Sequence, residues 1–513
     1  MHWLTLPEPP PRTKPAFHDR ITAKLWVAEQ LEAAPLKSLT AIGGQIEAID
    51  ASALPPKQAV ELLAILRSAI IPLLPRIEPR FIRKPLPLPS EDKQAFEATQ
   101  QFWLNLGIAY LRRAPHFVPA EKISILHRAA TAFRLAQYAH FQASHESPVL
   151  LDRLLFSVLV QAERHGLLRQ PLSDPDFPAL GEFNIAGSLS WAYLLRQIDP
   201  YRLTAGQLAV ANRAIRRWRE LTGFQTSPAT SAKSQLLDLS SLLNATPSEG
   251  MPRWLDVHPV SRKLRQRIDA LNTGEAPEAL KLGSELSSQA CIALLEAMNL
   301  SLQPQPAEMA PAQGEIDLAF GCDHAYALMR GELPNPPASA ASQHTPLSYQ
   351  RMAMFGSERD GAGLVKNIER AIPIPRETWH MQEGRATREN DEKSPRHVTN
   401  CLVAASVEKV IRLGVLQSLQ TGPGGELSAR LQWFPEKVEA GKLKRSPQQD
   451  PRHPAIPVFV LHGKDGLSVL VPVNAGTRMG SGMVLESCSV EHLLPTRIIE
   501  RGVDFIRYAC QPS

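Results

Sequence analysis

The feature that most constrains this chain is the stretch from about 409 to 510, where short apolar segments rich in Val, Leu and Ile are cut apart by Gly, Pro and Asn. Five of them span 410–419, 426–433, 457–462, 467–473 and 483–486, and 496–509 closes the series with another mixed apolar run. Short runs between turn-forming residues are the punctuation of strands. The region 405–510 is therefore expected to fold as a small antiparallel β-barrel. The glycine-rich Gly422-Pro-Gly-Gly-Glu426 lacks the Lys-Ser/Thr of a phosphate loop and lies between two strands rather than before a helix, so it reads as a hairpin turn.

Ahead of that stretch the apolar spacing changes to three and four. Ile21, Leu25, Trp26 and Leu31 recur at helical intervals, as do Val60, Leu63, Leu66 and Ile70. Ser90 with Glu91 and Asp92 in the first turn starts a further helix, as the helix dipole favours, and that helix carries Phe96, Trp103, Leu106 and Tyr110. Helices over 121–141, 148–166, 188–198, 204–222 and 261–271 follow, with one or two more over 275–302, and 236–243 fits a strand or a helix equally. Trp103, Gly107, Tyr110, Ala130 and Phe133 look superficially like a tetratricopeptide unit, but no 34-residue period recurs. An irregular helical bundle is the expectation.

The fold class implied is α+β: a mostly α-helical N-terminal region followed by a small antiparallel β-barrel at the C-terminus. A proline-rich arm covers 1–17, the helical part 18–302, and a strand and short helix 314–330. A charged, Gly- and Pro-containing connection with loose loops covers 331–400, and the barrel 405–510. With 45 prolines in 513 residues, connections are many, and the length suits about two to four domains.

Charge and cysteine content exclude several classes. The 56 basic and 51 acidic side chains leave a net charge of +5, too balanced for a protein whose whole surface is built to bind nucleic acid. The five cysteines, Cys291, Cys322, Cys401, Cys488 and Cys510, never form a Cys-x-x-Cys pair, so neither a disulfide framework nor a zinc ribbon is indicated, and no cofactor or metal is expected. The first ten residues lack the basic start and apolar core of a signal peptide. The most apolar run, 59–75, is broken by Glu61, Arg67 and Pro72, too short for a membrane span. A cytoplasmic location is expected.

Few residues suggest chemistry. Cys322-Asp323-His324 lies just past a strand, but adjacent residues do not readily converge on one point and no G-x-S-x-G turn accompanies them, so a structural turn is favoured and no catalytic role is assigned. His140 with His145, and His453 with His462, lack metal-ligand spacing and read as surface histidines. Arg213, Arg216, Arg217 and Arg219 surround Trp218 on the most basic helix of the chain. The favoured reading is a solvated face with one buried Trp. The alternative is contact with nucleic acid through this helix and the basic run Arg262–Arg267.

Ile411-Arg-Leu-Gly-Val-Leu-Gln-Ser-Leu, Gly425-Glu-Leu-Ser-Ala-Arg-Leu, Pro457-Val-Phe-Val-Leu, Leu470-Val-Pro-Val and Ile499-Glu-Arg-Gly-Val-Asp-Phe505 resemble the C-terminal part of a family of proteobacterial PilZ-related proteins. The resemblance covers about 376–509, and 191–202, 254–256 and 315–321 more weakly. It implies a helical region ahead of a barrel related to cyclic-di-GMP receptors, in a non-enzymatic signalling or scaffold protein that binds a partner protein. Cyclic-di-GMP is the ligand implied, with Arg385 and Arg388 supplying guanidinium forks for its phosphates and Ser394 a secondary polar contact. The binding motif is degenerate. Arg385 and Arg388 are spaced Arg-x-x-Arg rather than Arg-x-x-x-Arg, Glu392 stands where Asp or Asn is usual, and His397 stands where Gly is usual. Either the barrel has lost the ligand or it binds by another face.

Overall fold

The computed structural model describes residues 5–512 except 10, 12, 229–234, 304–313, 333–375, 383, 391–393, 408–409, 445–455 and 465. Of the stretches expected to be irregular, 304–313 of the linker 303–313, 229–234 of the small polar stretch 225–234 and 333–375 of the connection 331–400 lie outside the described residues. The chain is α+β and divides into two compact units, one of Met1–Met309, Glu389–Thr399 and Ser418–Ser428, the other of Ala310–Arg388, Asn400–Gln417 and Ala429–Ser513.

The first unit is helical. It opens with α1 (Arg20–Leu31), α2 (Pro35–Ala51), α3 (Pro56–Ile70), the short α4 (Leu74–Ile77), α5 (Ser90–Arg113), α6 (Pro119–Ala143) and α7 (Val149–Arg164). After a two-stranded ribbon, β1 (Leu172–Ser173) with β2 (Glu182–Phe183), come α8 (Ile185–Gln197) and α9 (Ala205–Trp218). A small sheet then forms from β3 (Gly223–Gln225), β4 (Leu236–Asp238) and β5 (Trp254–Asp256), with β5 in the middle. The one-turn α10 (Ser240–Leu243) follows β4, and α11 (His258–Asn272) and α12 (Ser288–Ser301) follow the sheet. The undecided stretch 236–243 is thus a strand and then a turn of helix.

Local chemistry sets the helix starts. Asp19 caps α1, its carboxylate accepting from the Ile21 and Thr22 amides at 2.8 and 2.9 Å. The face that α1 buries differs from the expected one. Ala23 and Val27 point inward while Ile21 and Leu25 are 74% and 63% exposed. The largest side chains define the expected stripe, but packing against α2 and α3 selects the smaller ones.

The centre of the unit is α6, with 18 of its 25 residues buried. A helix covered on all sides must bury whatever polar groups it carries, so Lys122, His127, Arg134, Gln137 and His140 sit inside the protein. It packs along α5, where Gly107 allows the close approach: a Cβ there would stand 2.5 Å from the Phe133 ring. Two late segments also belong to this unit. His397 and Leu86 exchange backbone hydrogen bonds at 2.8 Å in both directions, and Thr421 pairs with Ser144 and Glu146 at 2.9 and 2.8 Å.

The strand-rich remainder closes two barrels. The first is built from β6 (Gly314–Phe320), β7 (Glu377–Gln382), β8 (Arg385–Arg388), β9 (Leu402–Val407), β10 (Val410–Thr421) and β11 (Leu427–Trp433), in the order β10-β11-β8-β7-β6-β9. The second takes β12 (Lys437–Lys444), β13 (Ile456–Gly463), β14 (Gly466–Pro472), β15 (Met483–Glu486), β16 (His492–Arg501) and β17 (Phe505–Pro512), in the order β12-β13-β14-β17-β16-β15. One barrel was expected over 405–510. The strand at 314–320, expected apart from it, pairs with both β7 and β9, and 377–388, expected in a loose connection, supplies two staves.

The apolar run at 457–461 follows from its position between two cores. Val458 and Val460 face Val469, Val471 and Tyr508, whereas Phe459 and Leu461 face Leu402, Leu413 and Tyr326 of α13 (Cys322–Arg330). A strand buried on both faces loses the polar alternation of a one-sided sheet. At the β10–β11 hairpin the Gly422 amide donates to the Glu426 carbonyl at 2.8 Å and Gly425 holds φ +90°, the turn expected from Gly422-Pro-Gly-Gly-Glu426.

Candidate functional site

Two groups of cations define the candidate sites. The first is on β8, in the first barrel. Arg385 and Arg388 are three positions apart on a strand, and because side chains alternate with period two, they leave opposite faces. Arg388 shares its face with the buried Ala386. Its guanidinium is ion-paired with Glu377 on β7 and lies 5.0 Å from the ring centre of the fully buried Trp379. Arg385 pairs in register with Gln382 on the opposite face. An Arg-x-x-x-Arg spacing would have put both guanidiniums on one side.

Ser394 lies in the segment that belongs to the helical unit, and it is half-buried. Three residues on, His397 is bridged to Leu86 and is not among the residues of positive φ. The left-handed backbone that a glycine supplies in the nucleotide-binding turn is therefore not formed there. Glu392 lies outside the described residues.

The second group is on the basic helix α9, started by Thr204 and Gln207 in a capping box. Its arginines have separate fates. Arg213 forms a forked ion pair with Glu285, which raises its pKa and holds the Glu285 carboxyl well below the usual range. Arg219 turns inward. Its guanidinium lies 4.6 Å from the Phe183 ring and 5.8 Å from Trp191, and it donates to the Leu180 carbonyl at 3.2 Å. Arg216 is half-buried, and burial together with the charges of Arg213 and Arg217 lowers its pKa. Trp218 is 5% exposed, the single buried Trp expected on this helix.

Beneath α9 lies a residue that sequence reading did not single out. Arg134 of α6 is 4% exposed, and its guanidinium sits 3.7 Å from the Trp191 ring centre. Burial, then the charges of Arg219 and Arg216, push its pKa down to about 9. Trp191 is held in turn by its Nε1, which donates to Asn212 at 2.8 Å. No linear motif marks Arg134, because nothing in its neighbourhood distinguishes it from a surface arginine until α6 is known to be covered on all sides.

Arg217 points elsewhere, into an open cavity of about 330 Å³ between α9 and α11. From α11 the cavity receives Arg262, Lys263 and Arg267 beside Gln266, a spacing of three to four that puts them on one helix face. No acidic residue lines it. The two basic segments singled out in the sequence thus meet at one groove.

The remaining sequence candidates carry no site. The Cys322 thiol is 8% exposed and directed at the Asp504 carbonyl at 3.7 Å, with burial pushing its pKa far up, and His324 Nδ1 is bonded to the Phe320 carbonyl oxygen at 3.0 Å. His140 and His145 are interior rather than surface residues, packed on Phe96 at ring distances of 5.1 and 4.4 Å. His140 lies on α6, and Thr421 pairs with the backbone at 144 and 146, on either side of His145. His462 pairs with Glu439, and His453 lies outside the described residues. Among the described residues no group of three His, Cys, Asp or Glu side chains could hold a metal, and no helix is long and apolar enough to cross a membrane.

The fold is that of an α-helical domain joined to antiparallel barrels, with arginine and lysine side chains at both candidate sites. Residues 21–229 match the family model described as "Cyclic-di-GMP receptor FimW, N-terminal domain". That span runs from the first turn of α1 to just past β3, and includes Arg134, Trp191 and all of α9. No curated protein and no solved structure matches the chain.

Proposed function

We propose that this chain is a non-enzymatic signalling or scaffold protein of the cytoplasm that binds cyclic-di-GMP and answers it by engaging a partner protein. The observation that carries the reading is the match of residues 21–229 to the N-terminal domain of a cyclic-di-GMP receptor. The five free cysteines suit a reducing compartment, and the buried Cys322 thiol suits a protein without covalent catalysis. Arg385 and Arg388, each on its own face of β8, are the proposed phosphate partners carried by the PilZ resemblance, with Ser394 the secondary polar contact. Arg388 reaches a phosphate by exchanging Glu377 for it, since a guanidinium fork fits carboxylate and phosphate alike.

Calorimetric titration of the full chain with cyclic-di-GMP tests this. Binding that disappears in the Arg385→Ala/Arg388→Ala variant and weakens in Ser394→Ala is the expected result. Binding that survives the double substitution removes the site from β8. A wild-type protein that takes up no cyclic-di-GMP overturns the ligand assignment.

A further inference from the structure

The groove between α9 and α11 is a second cationic site that the cyclic-di-GMP reading does not use. Among the described residues, neither Arg217, Arg262, Lys263 nor Arg267 pairs with a carboxylate, in contrast to Arg213 on the same helix, which is neutralised by Glu285. The Arg267 Nε is buried and has no hydrogen-bond partner. Clustered like charges without counter-charges repel one another, so an arrangement of four is stabilised by an anion that bridges them.

We infer that this groove binds the phosphodiester backbone of a single-stranded nucleic acid. Two features favour a strand over a small nucleotide. Arg262 to Arg267 spans about 7.5 Å of helix at 1.5 Å per residue, or about two steps of a stacked strand at about 3.4 Å each. The cavity is open, so a chain passes through without having to end inside it. Trp218, the aromatic residue of the lining, is 5% exposed, too covered to act as a stacking platform for a base. What remains is recognition by charge, which carries no sequence information.

The test is fluorescence anisotropy of the full chain with labelled oligothymidylate and oligoadenylate, at about 50 and 200 mM salt. Four phosphate contacts predict a slope of log K against log salt of about −3, hence binding about fifty-fold weaker at the higher salt. The two sequences should bind within about two-fold of each other. Arg217→Ala/Arg262→Ala/Arg267→Ala should abolish the binding. The exposed Arg262→Glu, which leaves the part-buried Arg267 in place, should reduce both affinity and slope with the fold intact. Arg385→Ala/Arg388→Ala should leave strand binding unchanged, which separates this inference from the cyclic-di-GMP assignment. No binding at low salt overturns it, as does binding that the triple substitution leaves intact.

Discussion

The guanidinium of Arg134 lies 3.7 Å from the ring centre of Trp191, inside the helical unit, and among the described residues no carboxylate stands within ion-pair distance of it. A cation on a desolvated Trp face gains about 2 kcal/mol, whereas burying an unpaired charge costs several. The cost is the larger. Arg134→Met, which keeps the side chain's length without its charge, is therefore expected to leave the melting temperature unchanged or raise it, while Trp191→Ala should cost about 3–5 kcal/mol. Thermal denaturation of the two variants checks this, and an Arg134→Met loss as large as that of Trp191→Ala would refute it.

Acid should destabilise the helical unit through buried histidines. Burial pushes His127 and His140 down to about 4 and His145 to about 3, so each is neutral when folded and binds a proton only when unfolded as the pH falls below about 6.5. Stability is complete above that value and is lost between about 6.5 and 4, by about 2 kcal/mol per histidine at pH 5. Asp152, raised by burial to about 6, has the opposite sign: protonating it in the folded state returns about 1 kcal/mol by pH 5. Glu78, also raised by burial, adds to that offset. Urea midpoints measured from pH 7.5 to 5 should fall, and the fall should be shallower in His127→Gln.

The pair Arg67 and Asp174 should be the most sensitive polar contact of the helical unit. Arg67 is fully buried and donates to both Asp174 oxygens, at 2.9 and 2.5 Å, and also to Asp176. Removing Arg67 leaves the buried Asp174 carboxylate without its counter-charge, whereas removing Asp174 leaves Arg67 still paired with Asp176. Arg67→Met is therefore expected to cost about 3–5 kcal/mol by chemical denaturation, and Asp174→Ala less. The exposed pair Lys57 and Glu121 serves as a control, and breaking it should cost about 1 kcal/mol or less.

How much of this was readable from sequence differed by element. The helices α5, α6 and α7 were legible because Phe96, Trp103, Leu155 and their neighbours keep a period that depends only on local backbone geometry. The helix α2 was missed, since its apolar residues Leu39, Ile42, Ile46 and Ile49 are diluted by Gly43 and Gly44. The first barrel was only half legible. Its staves β6 and β9 are separated by more than eighty residues of sequence, and strand pairing across such a gap leaves no periodic trace. The groove was legible as two basic helices. That they face each other was not, because it depends on the packing around β5 and on the path between α9 and α11.

The two arginines of β8 should separate in stability even before any ligand is added. An exposed loop arginine would leave the melting temperature alone, but Arg388 is ion-paired and lies over a buried Trp. Arg388→Ala is expected to lower stability by about 1–3 kcal/mol and Arg385→Ala by less than about 0.5 kcal/mol. Equal melting temperatures for the two variants would mean that the Glu377 contact contributes nothing.

The segment 418–428, described above as part of the helical unit, has a consequence for how the protein is made. Gln420 donates to Glu146 across 274 positions, and Thr399 to the Tyr201 carbonyl across 198. A nascent chain leaves the ribosome at about 5–20 residues per second, so about 6–24 s pass between the emergence of residue 309 and that of residue 428. Throughout that interval the backbone at 144–146 lacks its partner. The bonds of Thr421 to the backbone at 144 and 146, of Gln420 to Glu146 and of Thr399 to Tyr201 are therefore the last contacts of the helical unit to close, however much of it has already formed.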